Sequence, residues 1–112
     1  MKQISRRKKG RRLQNYLRSK IMQTFPILRP EDVRVAKNGE NGADIKLSKI
    51  ARRVIPYQFE CKNQEKMKTI YDFYNQAQKN SGRLEPVLVM KMNTREPLVV
   101  IDFEHFIELI KE

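Results

Sequence analysis

The residues best suited to chemistry in this 112-residue chain lie in one short segment, PYQFECKNQEK, at residues 56–66. Side chains on a β-strand alternate between its two faces, so a strand here would place Gln58, Glu60 and Lys62 on one face. Cys61 and its aromatic neighbour would share the opposite, apolar face. A carboxylate and an ammonium group would then lie side by side on a surface available to a substrate.

A second carboxylate, Asp44, begins an alternating run that predicts another strand. Two carboxylates on adjacent strands repel each other unless a cation lies between them. Mg²⁺ accepts one or two carboxylates plus phosphate oxygens, and the backbone carbonyl of Cys61 would add a ligand. Lys62, beside Glu60, would orient the attacking water or stabilise charge on a phosphate. These parts suit metal-dependent hydrolysis of a phosphodiester bond.

Each of these residues also has a purely structural interpretation. Asp44 could simply end a loop, and Glu60 with Lys62 could form an exposed cross-strand pair. Cys61 is interpreted as a small buried hydrophobe, and His105 as a partly exposed residue of the last helix rather than a catalytic base. The combination of two carboxylates and a lysine favours the chemical interpretation.

Positive charge is concentrated at the start of the chain. Residues 1–20 hold nine of the 24 Lys and Arg residues and no Asp or Glu, in a chain of formal net charge +11. This tract predicts a basic arm, residues 1–12, that is mobile or partly helical and contacts phosphates, although a solvated tail or a targeting address would have the same composition. The expected nucleic-acid contacts are Arg6, Arg7, Lys8, Lys9, Arg11 and Arg12.

Composition excludes several other classes of protein. One cysteine cannot form an intrachain disulfide, and with one histidine a Cys/His zinc cluster cannot be assembled. No apolar run approaches the roughly 20 residues of a membrane span, and no apolar signal segment follows the basic tract. The sequence therefore predicts a cytoplasmic location and no membrane partner.

Apolar spacing predicts the order helix, three strands, helix, two strands, helix. The first helix begins at Leu13 and is ended by Pro26, and the second covers residues 64–79. A short helical turn begins at Ser48, and Asp102 caps the last helix. The runs PVLVMKM and PLVVID, separated by NTRE, predict a hairpin. A mixed sheet flanked by helices, in the α/β class, fits this order.

The motifs resemble those of a known family. GADIKLS followed by FECKN is similar to the signature of the PD-(D/E)XK nucleases, and the order of elements resembles their archaeal and phage branch, which includes Holliday junction resolvases. Two further motifs are similar to those of that branch: KGRRLQNYL in the first helix and YNQA in the second helix. The resemblance covers roughly residues 8–101. It implies a restriction-endonuclease-like αβββαβ core within one nuclease-like domain, residues 13–112.

The resemblance also implies roles for individual residues. Asp44 and Glu60 would bind Mg²⁺ or Mn²⁺, Lys62 would be the catalytic lysine, and Gln76 would point toward the site from the second helix. Archaeal resolvases usually carry a metal-binding Glu in the first helix, where this chain has Gln14. A glutamine carbonyl supplies no charge, so Gln14 is expected to have an accessory role.

The sequence as a whole predicts a Mg²⁺-dependent endodeoxyribonuclease of phage type. Its expected substrate is branched or double-stranded DNA, such as Holliday junctions in recombination or replication, in the cytoplasm of the host cell. Resolving a four-way junction requires two symmetric cuts, so the resemblance implies a homodimer. The alternative is a non-catalytic nucleic-acid-binding module with a nuclease-like fold.

Overall fold

A computed structural model describes residues 6–64 and 66–111, without the side chains of Arg6, Arg7 and Lys9. The elements are α1 (Arg6–Thr24), a 3₁₀ turn (Pro30–Asp32), β1 (Val33–Val35), β2 (Ile45–Leu47), α2 (Lys49–Val54), α3 (Lys68–Asn80), β3 (Leu88–Met90), β4 (Leu98–Val100) and α4 (Phe103–Ile110). The chain divides into two units, residues 1–64 and residues 65–112. The fold is therefore a small mixed α/β fold, as predicted at that level.

Helix α1 begins well before the predicted start at Leu13. Lys and Arg have high helix propensity, so from Arg6 onward the basic tract is helical, one of the two states predicted for the arm. The helix ends just before Pro26, whose ring is incompatible with helical backbone at the preceding residues. Leu17 and Ile21, one turn apart, are buried where α1 packs against β1. Among the described residues, no helix combines the length and apolar character that crossing a bilayer requires.

Strands β1 and β2 form an antiparallel pair in which Val33 lies opposite Leu47 and Val35 opposite Ile45. The guanidinium of Arg18 connects this pair to α1. Its Nε donates to the backbone oxygen of Val33 at 2.6 Å. This hydrogen bond fixes α1 relative to the strand pair, and Asp44 directly precedes the second strand of that pair.

A buried carboxylate, Asp32, connects the 3₁₀ turn to α2. Its Oδ1 accepts from the Ser48 hydroxyl at 2.8 Å and its Oδ2 accepts from the Arg29 backbone N–H at 2.8 Å. The Arg29 N–H, followed by the Ser48 hydroxyl, holds the pKa of Asp32 below its ordinary value. Ser48 also accepts from the Ala51 N–H at 3.0 Å, so it is the N-cap that the sequence predicts for this short helix.

The core of the first unit gives a direct test of this packing. Ile21 is fully buried, so Ile21→Ala should lower the free energy of unfolding by about 2–5 kcal/mol through lost transfer energy and a residual cavity. Ile27 is 77% exposed, so Ile27→Ala is the matched control, with an expected change within about 0.5 kcal/mol. Urea unfolding followed by circular dichroism measures both. Equal losses in the two variants would contradict the burial of Ile21 in this core.

The second unit contains α3, the β3–β4 hairpin and α4. Leu88 lies opposite Val100 and Met90 opposite Leu98, which confirms the predicted hairpin. Asp102 caps α4 by accepting from the His105 backbone N–H at 3.1 Å, as predicted. Ile107 is the one buried hydrophobic residue among those described in this unit.

Strand pairing differs from the predicted mixed sheet. The described strands form two separate antiparallel pairs, β1 with β2 and β3 with β4. Residues 57–61, which the sequence predicts as a third strand, have no regular secondary structure. The reason lies in the hydrogen bonds of Asp44.

Candidate active site

Asp44 connects three segments of the first unit. Its backbone oxygen accepts from the Ala36 N–H at 2.9 Å, and its own N–H donates to the Phe59 oxygen at 3.2 Å. Its carboxylate Oδ2 accepts from the Cys61 N–H at 2.6 Å. Asp44 therefore holds the segment carrying Glu60 beside the start of β2.

The hydrogen bonds of Asp44 also explain why residues 57–61 do not form the predicted strand. The N–H of Cys61 is taken by a side-chain oxygen instead of a backbone carbonyl, so a regular ladder does not form. The alternation of faces is nevertheless retained: Phe59 and Cys61 are partly buried, whereas their neighbours are exposed. The exposed neighbours are Gln58, Glu60 and Lys62. The predicted chemical face is thus present on an extended segment.

Glu60 and Lys62 lie next to each other on that face. Lys62 Nζ is 3.7 Å from Glu60 Oε1, and the side chains are 64% and 63% exposed, respectively. An ion pair with this exposure contributes little to stability because water screens it. Both groups are accessible to a ligand, and either could be replaced with little expected effect on folding.

The Cys61 thiol is partly buried and feels the charges of both carboxylates. Burial raises the pKa of the Cys61 thiol, and the negative charges of Asp44 and Glu60 raise it further, to about 11. A thiol with this pKa is protonated at neutral pH and is a poor nucleophile. The sequence predicts Cys61 as a small buried hydrophobe, and the structure places its side chain as partly buried.

The donor set can be compared with the needs of a divalent cation. Asp44 and Glu60 supply two carboxylates on segments joined by the hydrogen bond from the Cys61 N–H to Asp44 Oδ2. The described residues contain no group of three or more Asp, Glu, His or Cys side chains placed to hold a metal. Two carboxylates completed by water and phosphate fit Mg²⁺, which keeps several water ligands, and not a closed protein cage.

The remaining predicted site residues belong to three of the helices. Gln76 is exposed on α3 in the second unit, and Gln14 is partly buried on α1 in the first. His105 is partly exposed on α4, as predicted, with Nδ1 3.9 Å from Glu85 Oε1. The roles of Gln14 and Gln76 remain predictions.

A basic groove lies at the start of α1. It has a volume of about 340 Å³ and is lined by Lys8, Arg11, Arg12 and Asn38. The three cations follow the i, i+3, i+4 spacing that places side chains on one face of a helix. They include three of the six predicted nucleic-acid contacts. The other three, Arg6, Arg7 and Lys9, have side chains outside the described residues, and their role remains a prediction.

The loop that supplies Asn38 is held by an ion pair that the sequence did not reveal. Glu40 accepts from both terminal nitrogens of Arg34 at 2.9 Å and from the Lys37 N–H at 2.8 Å. The Arg34 guanidinium, followed by the Lys37 N–H, lowers the pKa of Glu40 to about 2. Glu40 therefore stays ionised at neutral pH. A single Glu between two glycines was the available signal, but its partner six residues earlier could not be inferred from spacing.

The same loop contains a tight turn. The Glu40 N–H donates to the Lys37 oxygen at 2.9 Å, and Gly39 has φ +78°. Positive φ at the third residue of the turn alone is the type II arrangement, which favours glycine there. Asn38 is thereby presented toward α1, where its Oδ1 accepts from Arg11 Nη2 at 3.1 Å.

Comparison of the chain with family models, curated proteins and solved structures finds no match.

Proposed function

We propose that this protein is a metal-dependent DNA endonuclease of the PD-(D/E)XK type, with Asp44, Glu60 and Lys62 as its catalytic residues. The observation that carries the proposal is the hydrogen bond from the Cys61 N–H to the Asp44 carboxylate. It brings the segment with Glu60 and Lys62 to the first carboxylate, although the two are separated by α2 in the sequence.

The candidate site and the basic groove would have three separate roles: metal binding, charge stabilisation and DNA binding. Asp44 and Glu60, with the Cys61 carbonyl, would hold Mg²⁺ or Mn²⁺, which when bound polarises a phosphate and makes its water more acidic. Lys62 places a positive charge on the same exposed face and stabilises negative charge that develops on the phosphate. The basic groove at the start of α1 binds the DNA backbone.

Branched DNA is the proposed substrate class, with a homodimer as the active form. Two cuts related by symmetry require two copies of the site. Apolar side chains exposed in the second unit support self-association: Leu98 is 70% exposed and Leu109 is 64% exposed.

The second candidate is a DNA-binding module without catalysis. The exposed ion pair between Glu60 and Lys62 favours it, because two groups that satisfy each other need no metal. A pure binder, however, has no use for two carboxylates next to phosphates, since these repel.

A Mg²⁺ titration separates the two candidates. Labelled four-way junction, flap, duplex and single-stranded DNA of matched sequence are incubated with the protein at rising Mg²⁺, and with EDTA as control. We expect Mg²⁺-dependent cleavage, strongest on the junction, by a protein that sediments as a dimer. Binding without cleavage at any Mg²⁺ concentration would support the binding module. Equal nicking of linear duplex by a monomer would remove only the junction assignment.

A further inference from the structure

We propose that the loop around Asn38 is part of the nucleic-acid interface, and that Glu40, a carboxylate, strengthens the binding of a polyanion. Glu40 acts as a positioning residue: it fixes the turn that presents Asn38, which in turn orients the Arg11 guanidinium in the groove. The inference rests on the proposed DNA-binding function. It adds Glu40 to the residues that support DNA binding, although a carboxylate would repel a phosphate in direct contact.

The groove is costly for the fold when no anion is present. Three like charges on one face of α1 repel each other, and Lys8, in the first turn, also opposes the helix dipole. The first turn of α1 contains no acidic residue that would offset them. A phosphodiester in the groove relieves both effects, so the local arrangement favours a polyanion over an empty site.

The loop around Asn38 contributes to binding by orienting the Arg11 guanidinium. A guanidinium binds phosphate best when its planar fork is already aimed, because less side-chain freedom is lost on binding. Asn38 holds Arg11 through one hydrogen bond at 3.1 Å. Asn38 is itself held by a turn whose closing carboxylate, Glu40, makes two bonds to Arg34 and one to the Lys37 N–H.

The test depends on the direction in which Glu40→Gln changes the affinity for DNA, because net charge and positioning predict opposite directions. Glu40→Gln raises the net charge by one, so general electrostatics predicts equal or tighter binding to DNA. If Glu40 positions the groove, the variant binds about three- to tenfold more weakly, the scale of losing one ordinary hydrogen bond. Glu31→Gln is the matched control: it makes the same charge change at an exposed residue away from the loop.

Affinity for a fluorescent duplex is measured by anisotropy in EDTA at about 0.15 M salt, with full-length protein. Asn38→Ala, which keeps the net charge and the ion pair, should also bind more weakly than wild type. Thermal unfolding of every variant ensures that folded proteins are compared. Binding of Glu40→Gln equal to or tighter than that of Glu31→Gln, or binding of Asn38→Ala equal to or tighter than that of wild type, overturns the inference.

These outcomes are distinct from failure of the proposed nuclease activity. Because the binding assay contains no metal, a wild-type protein that binds but never cleaves would remove the nuclease and leave the loop's role standing. A wild-type protein that cleaves, with both loop variants binding normally, would remove the loop's role alone. A wild-type protein without affinity for DNA would overturn both.

Discussion

Glu60→Gln should lower Mg²⁺-dependent DNA cleavage by at least about 10²-fold, the scale of losing a main electrostatic contribution to the transition state. Glutamine has nearly the same shape as glutamate but brings no negative charge to a cation. Because Glu60 is 63% exposed and its ion pair with Lys62 is long, folding and DNA affinity in EDTA should be unchanged. Single-turnover cleavage of a labelled junction measures the effect.

Glu96→Gln is the control, since it makes the same substitution at an exposed position in the second unit. It should cleave at the wild-type rate. Full activity in Glu60→Gln would contradict the assignment of Glu60 to the metal.

Asp44 calls for a different pair of substitutions because its carboxylate also holds the Cys61 N–H. Asp44→Asn retains an oxygen that can accept this bond, so it should lose cleavage at least about 10²-fold while keeping its thermal stability. Asp44→Ala removes the acceptor as well and should lose both. The comparison separates the chemical role of Asp44 from its structural one.

The second large expected effect is on DNA binding by the basic groove at the start of α1. Replacing Lys8, Arg11 and Arg12 together by glutamine should flatten the plot of log affinity against log salt by about 2.7, because each lost phosphate contact removes about 0.9 from the slope. The same arithmetic gives a loss of affinity of roughly 10²–10³-fold at 0.1 M salt. Measuring DNA affinity across a salt series tests both values.

A matched triple variant distinguishes the groove from overall charge. Replacing Lys49, Arg52 and Arg53 by glutamine removes the same net charge from α2, where all three residues are exposed. This variant should keep the wild-type salt slope. Equal slopes in the two triple variants would show that net charge alone, and not the groove, drives binding.

Local signals explain which parts of the fold are predictable. Ser48 and Asp102 are recognisable as the residues that open helices because a cap is a contact between residues two or three positions apart, and both caps are confirmed. The β3–β4 hairpin is predictable for the same reason, since two apolar runs flank a short turn. The coarse α/β class follows from these elements.

Contacts between distant residues explain what is not predictable. The strand expected at residues 57–61 is replaced by an extended segment because the Asp44 side chain, not a backbone carbonyl, accepts from Cys61. The alternation of faces predicts the right exposed residues there but not their hydrogen bonds. The bidentate pair of Glu40 with Arg34 lies in a loop without periodicity, so no pattern could indicate it.

The surroundings of Cys61 also bear on how the protein withstands oxidation. Oxidants react with the thiolate, and a thiol of pKa about 11 is ionised to only about one part in 10⁴ at pH 7. Burial, together with the two carboxylates, therefore slows sulfenic acid formation at this sulfur and disulfide exchange with other thiols.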